Sequence, residues 1–222
     1  MTHLNIISQN PESTLVSEFK RDDKRERSYQ SEAALEAAFI RQLQEQGYEY
    51  LPIVDEESLI ANLRAQLERL NDFKFSDSEW DLFFKMVLAN QNDGIVEKTN
   101  TIQNDSVKVL SLHDGGKDGV SFRNIKLIDK DDIHRNSLQV INQYVVENGA
   151  RSNRYDVTIL VNGLPLVHVE LKKRGVDLKE AFNQINRYQR DSFWAGSGLF
   201  EYVQLFVISN GTFTRYYSNT TR

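Results

Sequence analysis

YDVTILVNGLPLVHVELK, residues 155–172, is the stretch that decides the fold. Two runs rich in β-branched and aliphatic residues flank Asn162-Gly163, and this pattern predicts two antiparallel strands joined by a tight turn. Side chains alternate between the two faces of a strand, so His168, Glu170 and Lys172 share one face of the second strand. A carboxylate and an ammonium on an apolar strand are costly to bury unless they are paired or bind an ion.

The register of this hairpin decides whether Asp156 reaches Glu170. A two-residue turn at Asn162-Gly163 with no irregularity puts Asp156 opposite Val169, on the wrong face. A three-residue loop or one β-bulge shifts the pairing by one residue. Asp156 then lies either opposite His168, diagonal to Glu170, or directly opposite Glu170. We therefore predict an odd-numbered loop or a bulge, because a clean two-residue hairpin would separate the two carboxylates.

Two converging carboxylates beside a lysine suit the cleavage of a phosphodiester bond. Asp156 and Glu170 offer the hard oxygen ligands that Mg²⁺ prefers, and this ion also binds phosphate oxygens. The main-chain carbonyl of Leu171 is a further candidate ligand. Lys172 would orient or help deprotonate a water molecule, or stabilise the charge that develops on the phosphate. The alternative is that Asp156 merely opens a strand and that Glu170 and Lys172 form a surface ion pair.

The composition narrows the class of protein. The 222 residues include no cysteine, which excludes disulfides, Cys-ligated zinc and thiol nucleophiles and fits the cytoplasm. No apolar run reaches the roughly 18 residues that span a bilayer, so we expect no membrane segment. The formal net charge of −5 argues against strong autonomous DNA binding.

A local basic stretch runs against that overall charge. Residues 172–190 contain six basic residues, against the acidic Asp177 and Glu180. The basic residues are Lys172, Lys173, Arg174, Lys179, Arg187 and Arg190. Four of them are candidates for contacts with DNA phosphates, namely Lys173, Arg174, Arg187 and Arg190. The alternative for each is a solvated helix face.

Helical and strand patterns are interleaved along the rest of the chain. Ser76-Asp-Ser-Glu79 is a capping box that opens a helix. The helices are predicted at residues 31–47, 56–70, 76–90 and 178–190. The further strands are predicted at residues 48–54, 107–112, 122–128, 138–146, 202–209 and 212–217. This order predicts an α/β fold with a mixed β-sheet flanked by helices.

Two motifs carry a resemblance to a known family. Asp156 followed by Glu170-Leu-Lys172 resembles the PD-(D/E)XK nuclease signature, with Tyr155 where the signature has Pro. Gln184-Ile-Asn-Arg-Tyr188 resembles the QxxxY motif of its RecB-like branch. Residues 153–174, 181–188 and 205–221, with the early helix at 31–50, resemble the N-terminal nuclease domain of type I restriction endonuclease R (HsdR) subunits, of the type IC kind.

The resemblance implies a restriction-endonuclease-like fold and roles for particular residues. Residues 31–222 would form the nuclease domain, preceded by an arm at residues 1–30. Asp156 and Glu170 would be metal ligands and Lys172 the catalytic lysine. Gln184 and Tyr188 would help to position DNA. Glu36 matches an acidic position that completes the metal site in many relatives, and an exposed helix glutamate is its alternative.

The resemblance also implies a larger parent protein. In this family the R subunit continues into helicase-like motor domains that hydrolyse ATP, and their motifs are absent here. We expect a Mg²⁺-dependent endonuclease domain that cleaves double-stranded DNA after ATP-driven translocation, in a cytoplasmic complex with methyltransferase (M) and specificity (S) subunits. The alternatives are a non-catalytic nuclease-fold module that docks DNA or a partner, and a stand-alone repair nuclease.

Overall fold

The computed structural model describes residues 5–9, 14–17, 31–113, 120–148 and 151–219. The chain forms two compact units, residues 1–30 and residues 31–222. In the first unit, where an arm was expected, β1 (Asn5–Gln9) pairs antiparallel with β2 (Thr14–Ser17). All the elements described below belong to the second unit.

Five α-helices are described in the second unit, and none of the described helices is long and apolar enough to cross a membrane. They are α1 (Glu32–Glu45), α2 (Glu56–Asn71), α3 (Asp77–Phe83), α4 (Ile95–Gln103) and α5 (Leu178–Asp191). The predicted capping box of α3 is confirmed, because the Ser76 and Glu79 side chains each bind the other's main-chain N–H. Such reciprocal caps satisfy donors that a helix leaves unpaired at its start.

A six-stranded mixed sheet forms the centre of the unit, in the order β10-β9-β8-β7-β6-β3. Its strands are β3 (Glu49–Tyr50), β6 (Leu138–Asn148), β7 (Arg151–Val161), β8 (Leu164–Leu171), β9 (Leu205–Ser209) and β10 (Thr214–Ser218). The β3–β6 and β8–β9 pairs are parallel and the others antiparallel. A separate ribbon pairs β4 (Val107–His113) with β5 (Val120–Lys126).

Both faces of the sheet are covered by helices, which confirms the predicted α/β class. On one face, Ile40 and Leu43 of α1 pack with Val157, Val169 and Leu171. The larger core on the other face takes the apolar stripe of α2, the aromatic residues of α3 and the buried side of α5. Burial of these stripes is the main force that holds the layers together. The hairpin β7–β8 lies in the middle of the sheet, between the two cores.

The structure corrects two predicted elements and adds one helix that the sequence did not predict. The strand expected at residues 48–54 is limited to Glu49–Tyr50. The helix expected at residues 76–90 is α-helical only to Phe83 and continues as a π-helix over Phe84–Leu88. The added helix is α4, which lies in a segment rich in polar residues that begins at about residue 90. Two short 3₁₀ helices, Ile133–Arg135 and Leu199–Tyr202, complete the unit.

Tertiary contacts explain why α4 forms without a strong local pattern. Its Lys98 side chain is buried, and the ammonium lies 2.8 Å from Glu201 Oε2. The same ammonium donates to the carbonyl of Gly198 at 2.8 Å. Both partners are about a hundred residues away in sequence, so no local window contains this stabilisation. Residues 114–119 of the same polar segment lie outside the described part of the chain.

Candidate active site

The turn between β7 and β8 has only two residues. Asn162 and Gly163 both have positive φ, 51° and 82°, which is the conformation that twisted two-residue hairpins require. Gly163 is needed for a second reason, because a Cβ atom there would lie 2.6 Å from the Cα of Leu63 in α2. The Asn-Gly pair therefore sets the turn and also lets α2 approach the sheet closely.

A β-bulge follows this turn and changes the register of the hairpin. Leu160 pairs with Pro165, but Ile159 pairs with Val167, so Leu166 is the extra residue in β8. A bulge of this kind places two residues of one strand against one residue of the other. The sequence predicts either a loop with an odd number of residues or a bulge, and the bulge is confirmed.

The shifted register brings the two carboxylates level with each other. Beyond the bulge Val157 pairs with Val169. Asp156 and Glu170 are the next residues on their strands, so they lie level with each other. The Asp156 carboxylate accepts a hydrogen bond from the main-chain N–H of Leu171 at 2.8 Å. A side chain thus takes the place of a main-chain acceptor at this point, and Asp156 is held at the end of the β7–β8 ladder.

Glu170 and Lys172 form an ion pair inside the protein and not on its surface. The Glu170 side chain is 0% exposed, and its Oε1 accepts a hydrogen bond from Lys172 Nζ at 2.8 Å. The other oxygen, Oε2, has no hydrogen-bond partner among the described residues. A buried carboxylate oxygen without a partner is costly, so this atom is a natural place for a ligand or a donor.

The charges of the site shift the pKa values of its members. Burial raises the pKa of Asp156 to about 7, and the nearby Glu170 carboxylate adds to the effect. Burial alone would lower the pKa of Lys172, but the charges of Glu170 and Asp156 outweigh burial and raise it. Lys172 is therefore a stable ammonium at neutral pH, while Asp156 is only partly ionised until a further positive charge arrives.

The donor set fits a Mg²⁺ ion. Two carboxylates converge, one of their oxygens is unpaired, and the charge repulsion between them is of the kind that a cation relieves. No group of three or more His, Cys, Asp or Glu side chains is gathered anywhere in the described ranges. A set of two carboxylates, with Leu171 offering a main-chain carbonyl, suits Mg²⁺ because this ion usually keeps several waters.

Glu36 lies on α1 and is buried rather than exposed. Its two carboxylate oxygens accept hydrogen bonds from the amides of Asn142 at 2.5 Å and Gln143 at 2.6 Å. Gln143 has a φ of 54°, an uncommon conformation for a residue inside a strand. The structure does not gather Glu36 into one group with the other two carboxylates, so as a metal ligand it would first have to release an amide.

Gln184 and Tyr188 lie on α5, and Tyr188 belongs to the larger core. Tyr188 is 1% exposed, and its hydroxyl donates to the carbonyl of Arg154 at 2.7 Å while accepting from Gln184 Nε2. Its ring packs against Tyr155 with centroids 4.8 Å apart. The pair thus supports β7 immediately before Asp156, and Tyr188 has almost no surface that DNA could touch.

The basic residues around the site differ in their surroundings. Lys173 is exposed, and its main-chain N–H binds Glu32 of α1. Arg187 is exposed and lies over the Tyr188 ring at 5.5 Å, and Arg190 is paired with Asp191 at 2.7 Å. Arg174 is half-buried, with its Nε close to Gly211.

His168 is packed beside Glu170 on β8. The alternation of side chains along the strand predicts that it shares a face with Glu170. It is packed and 0% exposed, yet its Nε2 also lies 3.5 Å from Glu170 Oε2. The period-two spacing of the two residues was the signal that pointed to this contact.

Comparisons with known proteins give one consistent result. The family model described as "Type I restriction enzyme R protein N terminus" matches residues 29–222. The type I restriction enzyme EcoprrI endonuclease subunit of Escherichia coli is 48% identical over 217 residues, covering 97% of this chain and 67% of that protein. The SauCOLORF180P endonuclease subunit of Staphylococcus aureus (strain COL) is 40% identical over 197 residues, covering 86% of this chain and 20% of that protein. The HindI endonuclease subunit of Haemophilus influenzae is 26% identical over 206 residues, covering 83% of this chain and 19% of that protein.

Proposed function

The chain belongs to the family of type I restriction enzyme R protein N termini, and on that premise we propose that Asp156, Glu170 and Lys172 form its Mg²⁺-dependent DNA-cleaving site. The relatives are endonuclease subunits, which fits a nuclease module. The observation that carries the proposal is the bulge in β8. This single irregularity brings Asp156 level with Glu170, whose Oε1 lies 2.8 Å from the Lys172 ammonium.

Each residue has a role that follows from its surroundings. Asp156 and Glu170 would hold the ion with their carboxylate oxygens, and the Leu171 carbonyl would be the third protein ligand. A bound Mg²⁺ supplies positive charge beside the scissile phosphate. Lys172 stays protonated beside the carboxylates, so it donates hydrogen bonds to the attacking water or to a phosphate oxygen. Glu36 is a candidate additional ligand on α1.

DNA binding involves the surface next to α5. Lys173, Arg174, Arg187 and Arg190 are the candidates for phosphate contacts, which fix the position of DNA without reading its sequence. Tyr188 is buried, so it positions DNA only indirectly, by supporting β7, and Gln184 is held by the Tyr188 hydroxyl. Sequence recognition therefore has to come from elsewhere in the assembly.

The chain spans about two thirds of the E. coli relative and 20% of the S. aureus one. We propose that it works in the cytoplasm as part of a longer R subunit. Motor domains of that subunit would hydrolyse ATP and pull double-stranded DNA, and M and S subunits would supply recognition. The nuclease site would then cut DNA that the motor delivers.

Metal binding separates this proposal from a non-catalytic docking module. Calorimetric titration of the chain with Mn²⁺, which also takes oxygen ligands, should show binding at the carboxylate site. Glu170→Gln keeps the shape of the side chain but removes its charge, and it should weaken binding at least about tenfold. The control is Glu180→Gln on the exposed start of α5, which should bind as the original does. Equal affinity in Glu170→Gln and the original chain would contradict the proposed site.

A further inference from the structure

We propose that His168 is a positioning residue that orients the Glu170 carboxylate for metal binding. The inference rests on the proposed function, since it takes Glu170 as a metal ligand. It assigns a task to a buried polar side chain that the cleavage chemistry itself does not use.

The geometry around Glu170 points to this task. His168 precedes Glu170 by two residues on β8, and both side chains are 0% exposed. His168 Nε2 lies 3.5 Å from Glu170 Oε2, at the outer limit of a hydrogen bond. Within the described ranges, neither of these atoms has a hydrogen-bond partner, and His168 Nδ1 has none either. Two buried polar atoms without partners thus face each other, and the pair becomes donor and acceptor when the ring proton is on Nε2.

Aromatic rings hold the imidazole in place. They belong to Tyr155, Phe193, Tyr188 and Phe206, with centroids 5.4, 5.8, 6.0 and 6.5 Å from that of His168 and all edge-to-face. The hydroxyls of the two tyrosines are engaged with Ser192 and with the Arg154 carbonyl. The rings therefore fix the position of the histidine, with its Nε2 3.5 Å from Glu170 Oε2.

The consequence concerns the orientation of Glu170. Its Oε1 already accepts a hydrogen bond from Lys172. A contact from His168 to Oε2 fixes the carboxylate at its second oxygen, so the terminal torsion, which is otherwise broad, has one orientation before the ion binds. Side chains that orient metal ligands in this way typically contribute about 10–100-fold to affinity.

Histidine suits this position better than a smaller donor. The ring fills the aromatic cage with mostly apolar surface, while its N–H provides one directed donor. Leucine would fill the space without a donor, and glutamine would keep a donor on a side chain of similar reach. These two substitutions separate packing from hydrogen bonding.

The test is the Mn²⁺ titration of the chain, with thermal unfolding recorded for each variant. His168→Leu should lower the Mn²⁺ affinity about 10–100-fold, and His168→Gln should stay within a few-fold of the original. Thr158→Val is the matched control, because Thr158 pairs with His168 across the ladder and also has a buried hydroxyl without a partner in the described part of the chain. It should bind Mn²⁺ as the original does. If His168→Leu does not fold, His168→Met replaces it.

Two results would overturn the role of His168. One is an unchanged affinity in His168→Leu while Glu170→Gln binds weakly. The other is an equal loss in the leucine and glutamine variants, which would indicate packing alone. If the original chain binds no Mn²⁺, or Glu170→Gln binds it normally, the proposed function itself fails, so the two failures are distinguishable.

Discussion

Replacing Asp156 with asparagine should stabilise the metal-free protein at neutral and alkaline pH. Burial raises the pKa of Asp156 to about 7, and the Glu170 charge contributes to this shift. Asparagine has the same shape, and its carbonyl oxygen can still accept the Leu171 N–H that now lies 2.8 Å from the carboxylate. The substitution therefore removes a buried charge and keeps the hydrogen bond.

The size of the effect follows from the two pKa values of Asp156. Its ordinary value of 3.8 applies to the unfolded chain, and the folded protein has a value of about 7. Between these values the unfolded chain has lost the proton and the folded protein still holds it. The protonated Asp156 carboxyl therefore makes its full contribution to stability below pH 3.8, and this contribution is lost as the pH rises through about 7. Each pH unit corresponds to about 1.4 kcal/mol, so the total loss is about 4 kcal/mol.

The assay is urea unfolding of the original chain and of Asp156→Asn, in EDTA, across the range from pH 4 to pH 8. The difference in the free energy of unfolding between the two proteins should grow by about 1.4 kcal/mol per pH unit up to about pH 7, and then stay constant. Mg²⁺ should stabilise the original chain and leave the variant almost unaffected. A difference that does not change with pH would refute the reasoning.

Two further substitutions, the first with a matched control, test the support around the site. Gly163→Ala should destabilise the protein by more than about 3 kcal/mol, because strain at φ +82° adds to a contact 2.6 Å from the Leu63 Cα. Gly175→Ala, at φ +87° in open space, should cost only the strain of about 1–2 kcal/mol, and equal losses measured by urea unfolding would contradict the close approach. Tyr188→Phe should lower the free energy of unfolding by about 1–2 kcal/mol, since it leaves the Arg154 carbonyl unpaired, and an unchanged value would show that this hydrogen bond has no structural role.

The hairpin shows how far the sequence could lead. The Asn-Gly turn could be predicted from the two strand-like runs that flank it. The need for a one-residue shift in the pairing followed from the alternation of side chains and from the chemistry of the two carboxylates. The position of the bulge at Leu166 could not be predicted, because it depends on how the strand packs between the two cores. The Asp156 contact with the Leu171 N–H depends in turn on that register.

The features that could not be predicted from the sequence depend on contacts between distant residues. The helix at Ile95–Gln103 contains asparagine and threonine, which favour helices weakly. It is anchored by the buried ion pair of Lys98 with Glu201 and by burial of Ile102. In the same way, the strand face of His168 could be predicted from the alternation, but the approach of its Nε2 to within 3.5 Å of Glu170 could not.

DNA cleavage by two neighbouring lysine variants tests the central claim most directly. Lys172 is bonded to Glu170, whereas Lys173 is exposed beside it. The assay uses the proposed R subunit with this domain, mixed with M and S subunits, and measures cleavage and ATP hydrolysis together. Lys172→Met should slow cleavage at least about 100-fold with ATP hydrolysis unchanged, and Lys173→Met should have a much smaller effect. Cleavage at the original rate by Lys172→Met would contradict the assignment of the active site.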